Sequence, residues 1–360
     1  MSHKASAYEQ VRDLCNTLSN AGNVTDRRKA SEQLRNLLGD VRFQTKLGRE
    51  TGHDPLKIAS VWRLAITNSL LAAQRLTEGR GKRTKIQTAD MRLPGAILML
   101  VDKDSGQYLP SIFAGEDVMS MHMGMYGSGV GGGGSSGGAV MSGAASSSSS
   151  SSNQPTSLAD PRCRTRLSSK EIQKLLEFCL NALADEECRE VAEPDLMNTL
   201  STLCSRADYV AHFHAEKDVE FILSEIEERL LPKKGRVLGG VDASAATRMA
   251  IVENAAKTLA HLIYHLAVSL GYGMHKQLAS CFDLIVNWCK LSSSQPRQTA
   301  NQCLHYVMSA ATSLLLTHPE QCVPIMRENG RYLLALVKKS FTLTSGQPRD
   351  ALIDYYSAHL

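Results

Sequence analysis

Histidine and carboxylate side chains cluster at His212, His214, Glu216 and Asp218, where the sequence reads AHFHAEKD. Such groups serve as metal ligands and general bases in many enzymes. His212 and His214 are only two positions apart, so a helix would place them on different faces, and the H-E-x-x-H pattern of zinc proteases is absent. The pattern predicts a junction between helices, with Glu216 and Asp218 favouring the start of the second helix.

A second pair, His261 and His265, has the four-residue spacing that places both side chains on one helix face. The pair flanks Tyr264 in a strongly apolar segment, and no carboxylate or cysteine at metal-ligand spacing accompanies it. The spacing therefore favours hydrogen bonding between helices over a metal site. An enzyme with a histidine site is the least supported function.

The cysteine pattern and the N-terminus argue against a zinc site and against a secreted protein. The sequence has nine cysteines, none of which forms a C-x-x-C pair. The N-terminus, MSHKASAYEQ, lacks the apolar segment of a signal peptide. No apolar run approaches the length of a membrane span. We expect a soluble protein of a reducing, intracellular compartment, without membrane association.

Two further patterns lie in a stretch of low complexity, Ser105 to Ser157, which is rich in glycine and serine. Met119, Met121, His122, Met123 and Met125 resemble a soft-metal tract, but compositional drift explains them as well. The formal G-x-G-x-x-G pattern has no strand before it and no helix after it, so it fails as a dinucleotide fingerprint; its glycines are Gly129, Gly131 and Gly134.

Kinase signatures are absent as well: the sequence contains no H-R-D loop, no D-F-G and no V-A-I-K lysine. We therefore expect no catalytic residue and no cofactor in this chain. The net charge of +4 is mild and argues against a dedicated nucleic-acid binder. An aromatic content of 5%, with leucine and alanine supplying the apolar residues, suits helices better than sheets.

Three consecutive cations, Arg27, Arg28 and Lys29, follow a helix break at Gly22 and Asn23. Val11, Leu14 and Leu18 predict a short helix before the break, and Thr25 is the expected cap of the next helix. Asp26 falls in the first turn of that helix, and Gly39 ends it; its predicted apolar face is Leu34, Leu37, Leu38 and Val41. The helix dipole disfavours cations at the start of a helix. Two interpretations of the cluster stay open: a solvated helix end, or a docking patch for an acidic partner.

This stretch, which includes DRRKASEQLRNLL, resembles the TAN motif at the extreme N-terminus of the ATM (ataxia-telangiectasia mutated) checkpoint kinases. Arg164 to Ala184 is similar to the basic entry and apolar helix that follow in that family, and Tyr209 to Leu231 is similar to the next helix pair. The likeness covers Val11 to about Leu76 and Arg164 to about Leu231. On matching positions, it implies partner-binding residues at Arg27, Arg28, Lys29, Glu32, Leu34, Leu37 and Leu38.

The resemblance implies a nuclear role in the response to double-strand breaks and in telomere maintenance. The implied partner is the adaptor of the break-sensing nuclease complex, and the full-length kinases can form homodimers. In that family a serine/threonine kinase domain lies far C-terminal to this region, so this chain alone is expected to transfer no phosphate.

A second basic cluster lies beside two glycines at Arg80, Lys82, Arg83 and Lys85. Three interpretations stay open: a solvated loop, a nuclear-localisation patch, or a weak contact with DNA phosphates. ATM-like proteins carry a basic loop near this point.

Helical periodicity predicts an all-α fold with a HEAT-like solenoid of helical hairpins. Residues 5–101 form an N-terminal helical segment, residues 102–160 a disordered Gly/Ser-rich insert, and residues 161–360 helical repeats. Pro194, Pro232, Pro296 and Pro319 are the expected boundaries between helices. A compact helical bundle is the structural alternative. The functional alternatives are an unrelated HEAT- or armadillo-type adaptor and a basic helical protein that binds nucleic acid.

Overall fold

The computed structural model describes residues 5–20, 23–78, 88–101, 167–214, 217–233, 235–269, 275–293 and 297–339. These residues contain helices and no strand, which confirms the predicted all-α class. Several predicted features lie outside the described residues. They are the basic cluster Arg80 to Lys85, the 102–160 insert with its methionine and glycine patterns, and a helix expected after Asp350.

Five helices form the N-terminal part: α1 (Ala7–Asn20), α2 (Val24–Gly39), α3 (Val41–Glu50), α4 (Pro55–Glu78) and α5 (Thr88–Val101). The expected cap at Thr25 is wrong, because the Asn23 side chain accepts the hydrogen bond from the Asp26 amide at 2.7 Å. Val41 was expected on the apolar face of α2. It begins α3 instead and is 72% exposed, since Asp40 ends one helix and caps the next.

The described residues of the second part contain eight helices. They are α6 (Ser169–Ala184), α7 (Glu186–Cys204), α8 (Ala207–Val210), α9 (Lys217–Leu230), α10 (Ala245–Ile263), α11 (His275–Ser293), α12 (Arg297–Thr317) and α13 (Pro319–Lys339). A π-helical turn, Tyr264–Ser269, continues α10. The boundary expected at Pro194 is present as a kink within α7: the backbone leaves helical geometry at Ala192, with φ −143°, and two helical segments meet there. Pro194 thus falls in the first turn of the second segment, where proline is tolerated.

Contacts between the helices fall into two rows. In the first row each helix packs on the next in the order α1, α4, α6, α9, α11 and α13. In the second row the order is α2, α5, α7, α10 and α12. The rows face each other through the pairs α1–α2, α4–α5, α6–α7, α9–α10 and α11–α12.

One apolar core runs between the two rows, from Ala7 to Cys322. Trp62 of α4 is buried, as predicted, and Leu176, Leu259 and Leu314 carry the core into later helices. Full burial of one such leucine stabilises the fold by roughly 1.5–3 kcal/mol. Core contact therefore joins α1–α5 to α6–α13, although the two parts are far apart in sequence. Among the described helices, none has the length and apolarity to cross a bilayer.

Candidate functional site

Helix α2 places the seven residues of the TAN-like motif on two different faces. Leu34 and Leu38 are fully buried, and Arg27 is only 7% exposed, so these three face the core. Leu37 is partly buried against that core. The remaining three, Arg28, Lys29 and Glu32, are exposed. The motif therefore combines a structural face with a solvent-facing one, and only the second is accessible to a partner.

The exposed face of α2 carries three cations that form no side-chain contact with another charged or polar group of the described residues. In the structure Arg28, Lys29 and Arg35 form no ion pair or side-chain hydrogen bond among the described residues. Arg28 and Arg35 are seven residues apart, which is about two helical turns or about 10.5 Å along one stripe. We call Arg28, Lys29 and Arg35 the α2 basic stripe.

The stripe leads into a cleft of about 600 Å³ formed by α2, α5 and α7. Arg35, Asn36 and Asp40 line it from α2, and Arg92 lines it from α5. The third wall is α7, with Asp195, Asn198 and Thr199. Three neighbouring helices of the second row thus share one concavity, whose size lies within the range of small-ligand sites.

Both carboxylates of the cleft are already engaged. The Asp195 Oδ1 atom lies 3.2 Å from Arg92 Nε, and Asp40 Oδ1 accepts a hydrogen bond from the Arg42 amide at 2.9 Å. Burial raises the pKa of the Asp195 carboxyl, and the Arg92 charge opposes part of that rise. Arg35 is half-buried and has no such partner, so it is the cation left for a ligand.

Gly95 allows two walls of the cleft, α5 and α7, to pack closely against each other. A Cβ atom added to Gly95 of α5 would lie 1.8 Å from the Thr199 Oγ1 atom and 2.9 Å from its Cβ. Helix α7 could not keep its present position beside any larger residue. A glycine inside an apolar helical segment is a sequence signal for such packing.

His261 of α10 and His265 of the π-helical turn that follows it both lie in the core. The His265 Nε2 atom is 2.9 Å from the Ser205 carbonyl oxygen, which confirms the predicted bond between helices for this residue. His261 stacks on His265 with ring centroids 6.3 Å apart, yet neither of its ring nitrogens has a hydrogen-bond partner among the described residues. Burial lowers the pKa of His261 to about 3, and the nearby Lys257 and His265 add to this effect. Both histidines are therefore neutral, and these contacts are all with other residues of the core.

His212 and His214 lie in the predicted junction, between the end of α8 and the start of α9. The His214 amide donates a hydrogen bond to Asp218 Oδ2 at 2.8 Å, so Asp218 orders the junction as expected. Glu216 lies outside the described residues. Within the part of the chain that is described, no three histidine, cysteine or carboxylate side chains come together as a metal site.

A buried ionic cluster was not foreseen from the sequence. The Arg229 side chain is 0% exposed and pairs with Glu193 at 3.0 Å and with Glu225 at 2.7 Å. Burial raises the pKa of Glu225, and the Arg229 charge opposes that rise. Glu193 also accepts the Gly239 amide at 2.7 Å, so it ties the loop before α10 to α7. The cluster crosses from α9 to α7, and removal of any one partner would leave a buried charge without compensation.

Comparison with known proteins adds no relative: no protein-family model, curated protein or solved structure matches this chain.

Proposed function

We propose that this chain is the N-terminal scaffold region of an ATM-like checkpoint kinase, folded as a HEAT-like α-solenoid. The alternation of α1, α4 and α6 with α2, α5 and α7 supports the solenoid, because stacked hairpins produce two such rows. Each hairpin buries its apolar stripe against its neighbours, which leaves the outer faces for recognition.

The observation that carries the proposal is the orientation of the TAN-like motif. Its apolar residues Leu34 and Leu38 fix α2 in the array, and its cations Arg28 and Lys29 point to solvent without ion pairs. The exposed cations form no ion pair among the described residues, so the basic face of the motif is available for binding. Exposed cations of this kind attract acidic segments and speed their association.

The partner in this proposal is the adaptor of the double-strand-break-sensing nuclease complex. The chain binds this adaptor in the nucleus. The chain itself acts by binding and has no catalytic role. Kinase activity, telomere maintenance and break signalling belong to the larger assembly that it serves.

The experiment follows a fluorescently tagged chain in cells before and after induction of double-strand breaks. Wild-type protein is expected in the nucleus and at breaks, in a complex with the adaptor. Replacement of Arg28 and Lys29 by glutamate should reduce adaptor capture, while circular dichroism shows unchanged helix content. A matched charge reversal at Arg12, on the exposed side of α1, should leave capture unchanged.

Equal capture by the wild type and the Arg28/Lys29 variant would remove the basic face from the proposal. Exclusion of the wild-type chain from the nucleus, or failure to associate with the adaptor after break induction, would overturn the proposed function as a whole.

A further inference from the structure

The geometry points to a binding site for an extended acidic peptide along the α2 basic stripe and in the α2–α5–α7 cleft. This inference rests on the proposed scaffold function and names the surface and the chemistry of the ligand. Its centre is Arg35, which lies outside the residues implied by the family resemblance.

Charge complementarity selects an acidic ligand. Of the two carboxylates that line the cleft, Asp195 is paired with Arg92, whereas Asp40 accepts a backbone hydrogen bond and keeps its negative charge. The half-buried Arg35 side chain lines the cleft and forms no ion pair or hydrogen bond with the residues that the structure describes. A guanidinium held in a partly desolvated position, with five fixed donors, is well suited to bind a carboxylate in two-point fashion.

The length of the stripe sets the spacing of the ligand's charges. Arg28 and Arg35 are about 10.5 Å apart along α2. A chain in the polyproline II conformation rises about 3.1 Å per residue with three residues per turn, so positions i and i+3 lie on one face, about 9.3 Å apart. A peptide in this conformation with carboxylates at positions i and i+3 therefore reaches both cations. Asn36, exposed beside Arg35, can hold the peptide backbone through its side-chain amide.

One residue of the stripe opposes this ligand. Glu32 is exposed between Arg28 and Arg35 on the same face, at spacings of four and three residues. It forms no ion pair with either of them in the structure. Its carboxylate would lie beside the bound peptide and repel it, so its neutralisation should strengthen binding.

The test measures fluorescence anisotropy of labelled peptides titrated with the purified full chain. The first probe carries two glutamates three residues apart in a serine–alanine background; the second has the same composition with adjacent glutamates. We expect the first probe to bind more tightly. Arg35→Gln should weaken its binding about fivefold, which corresponds to about 1 kcal/mol. Glu32→Gln should tighten it about twofold. Arg12→Gln serves as the matched surface control and should leave the dissociation constant unchanged.

The outcomes separate this inference from the proposed function. Equal affinities of the two probes, or equal effects of Arg35→Gln and Arg12→Gln, would overturn the site. Binding of duplex DNA instead of peptide, sensitive to Arg35→Gln, would overturn the peptide ligand and assign the stripe to phosphates. If the peptides do not bind while the chain still captures the adaptor in cells, the scaffold function is retained but uses another surface.

Discussion

Replacement of Gly95 by alanine tests the packing of α5 against α7 directly. The added Cβ would lie 1.8 Å from Thr199 Oγ1, about half of an ordinary van der Waals contact distance. Overpacking of this kind costs typically 1–3 kcal/mol, and so short a contact places it near the upper end. Alanine recovers about 1 kcal/mol through its higher helix propensity. We therefore expect Gly95→Ala to destabilise the protein by about 2 kcal/mol.

The assay is thermal and denaturant unfolding followed by circular dichroism. A loss of about 2 kcal/mol corresponds to a decrease in melting temperature of about 4–8 °C for a domain of 150–250 residues. The Thr199→Ala change removes the Oγ1 atom and leaves the Thr199 Cβ position at 2.9 Å, so the double variant should recover most of the loss. The coupling energy of the double-mutant cycle should exceed about 1 kcal/mol. Gly95→Ala with wild-type stability, or additive effects in the cycle, would refute the close approach of α5 and α7.

Two further predictions concern buried polar groups. Arg229→Met should destabilise the protein by about 3–5 kcal/mol, because it leaves the two buried glutamates that Arg229 binds without their main cation; denaturant unfolding should show no comparable loss for the exposed Arg12→Met. His261 has a folded-state pKa of about 3 against about 6.5 in the unfolded chain, so the unfolded state binds more protons between these values. Stability should therefore decrease as the pH is lowered through this window, with the His261 contribution amounting to about 2 kcal/mol between pH 7 and pH 5. His261→Met should remove that part of the pH dependence, and His212→Met, at an exposed position, should retain it.

Much of the helical architecture could be predicted from apolar spacing alone. Stripes such as Val11 with Leu18, or Leu176 with Leu183, indicated helices that the structure contains, and both pairs are buried. The Trp62 side chain was expected in the core and lies there. Such periodicity reports the core-facing side of a helix, because burial is what selects apolar residues at that spacing.

Helix boundaries were harder to predict at prolines and caps. The boundary expected at Pro194 is a kink at Ala192, two residues before the proline, after which the helix resumes at once. Asn23 takes the capping position expected for Thr25, and both residue types are good caps. Local sequence gives several acceptable boundaries at such places, and tertiary packing selects among them.

The cleft was beyond sequence reasoning, since its walls come from segments far apart in the chain. Arg35 and Asn36 precede Asp195 and Asn198 by more than 150 residues, and only the contact of α2 and α7 with α5 brings them together. The single available signal was Gly95, a small residue within an apolar helical segment. Likewise the exposure of Arg28 and the burial of Arg27 could not be separated before the orientation of α2 was known.

The central claim, two rows of helices stacked in an open array, is tested most directly by pulsed electron paramagnetic resonance distances along the first row. One spin label is fixed at Asn16 of α1 and the other is placed in turn at Ser60, Lys174, Ser224 and Glu328, all exposed positions on α4, α6, α9 and α13. Adjacent packed helices lie about 8–10 Å apart, so the distance should rise at every step and reach about 40–50 Å at Glu328. A distance below about 25 Å between Asn16 and Glu328 would show that the row closes on itself as a compact bundle, and it would contradict the array.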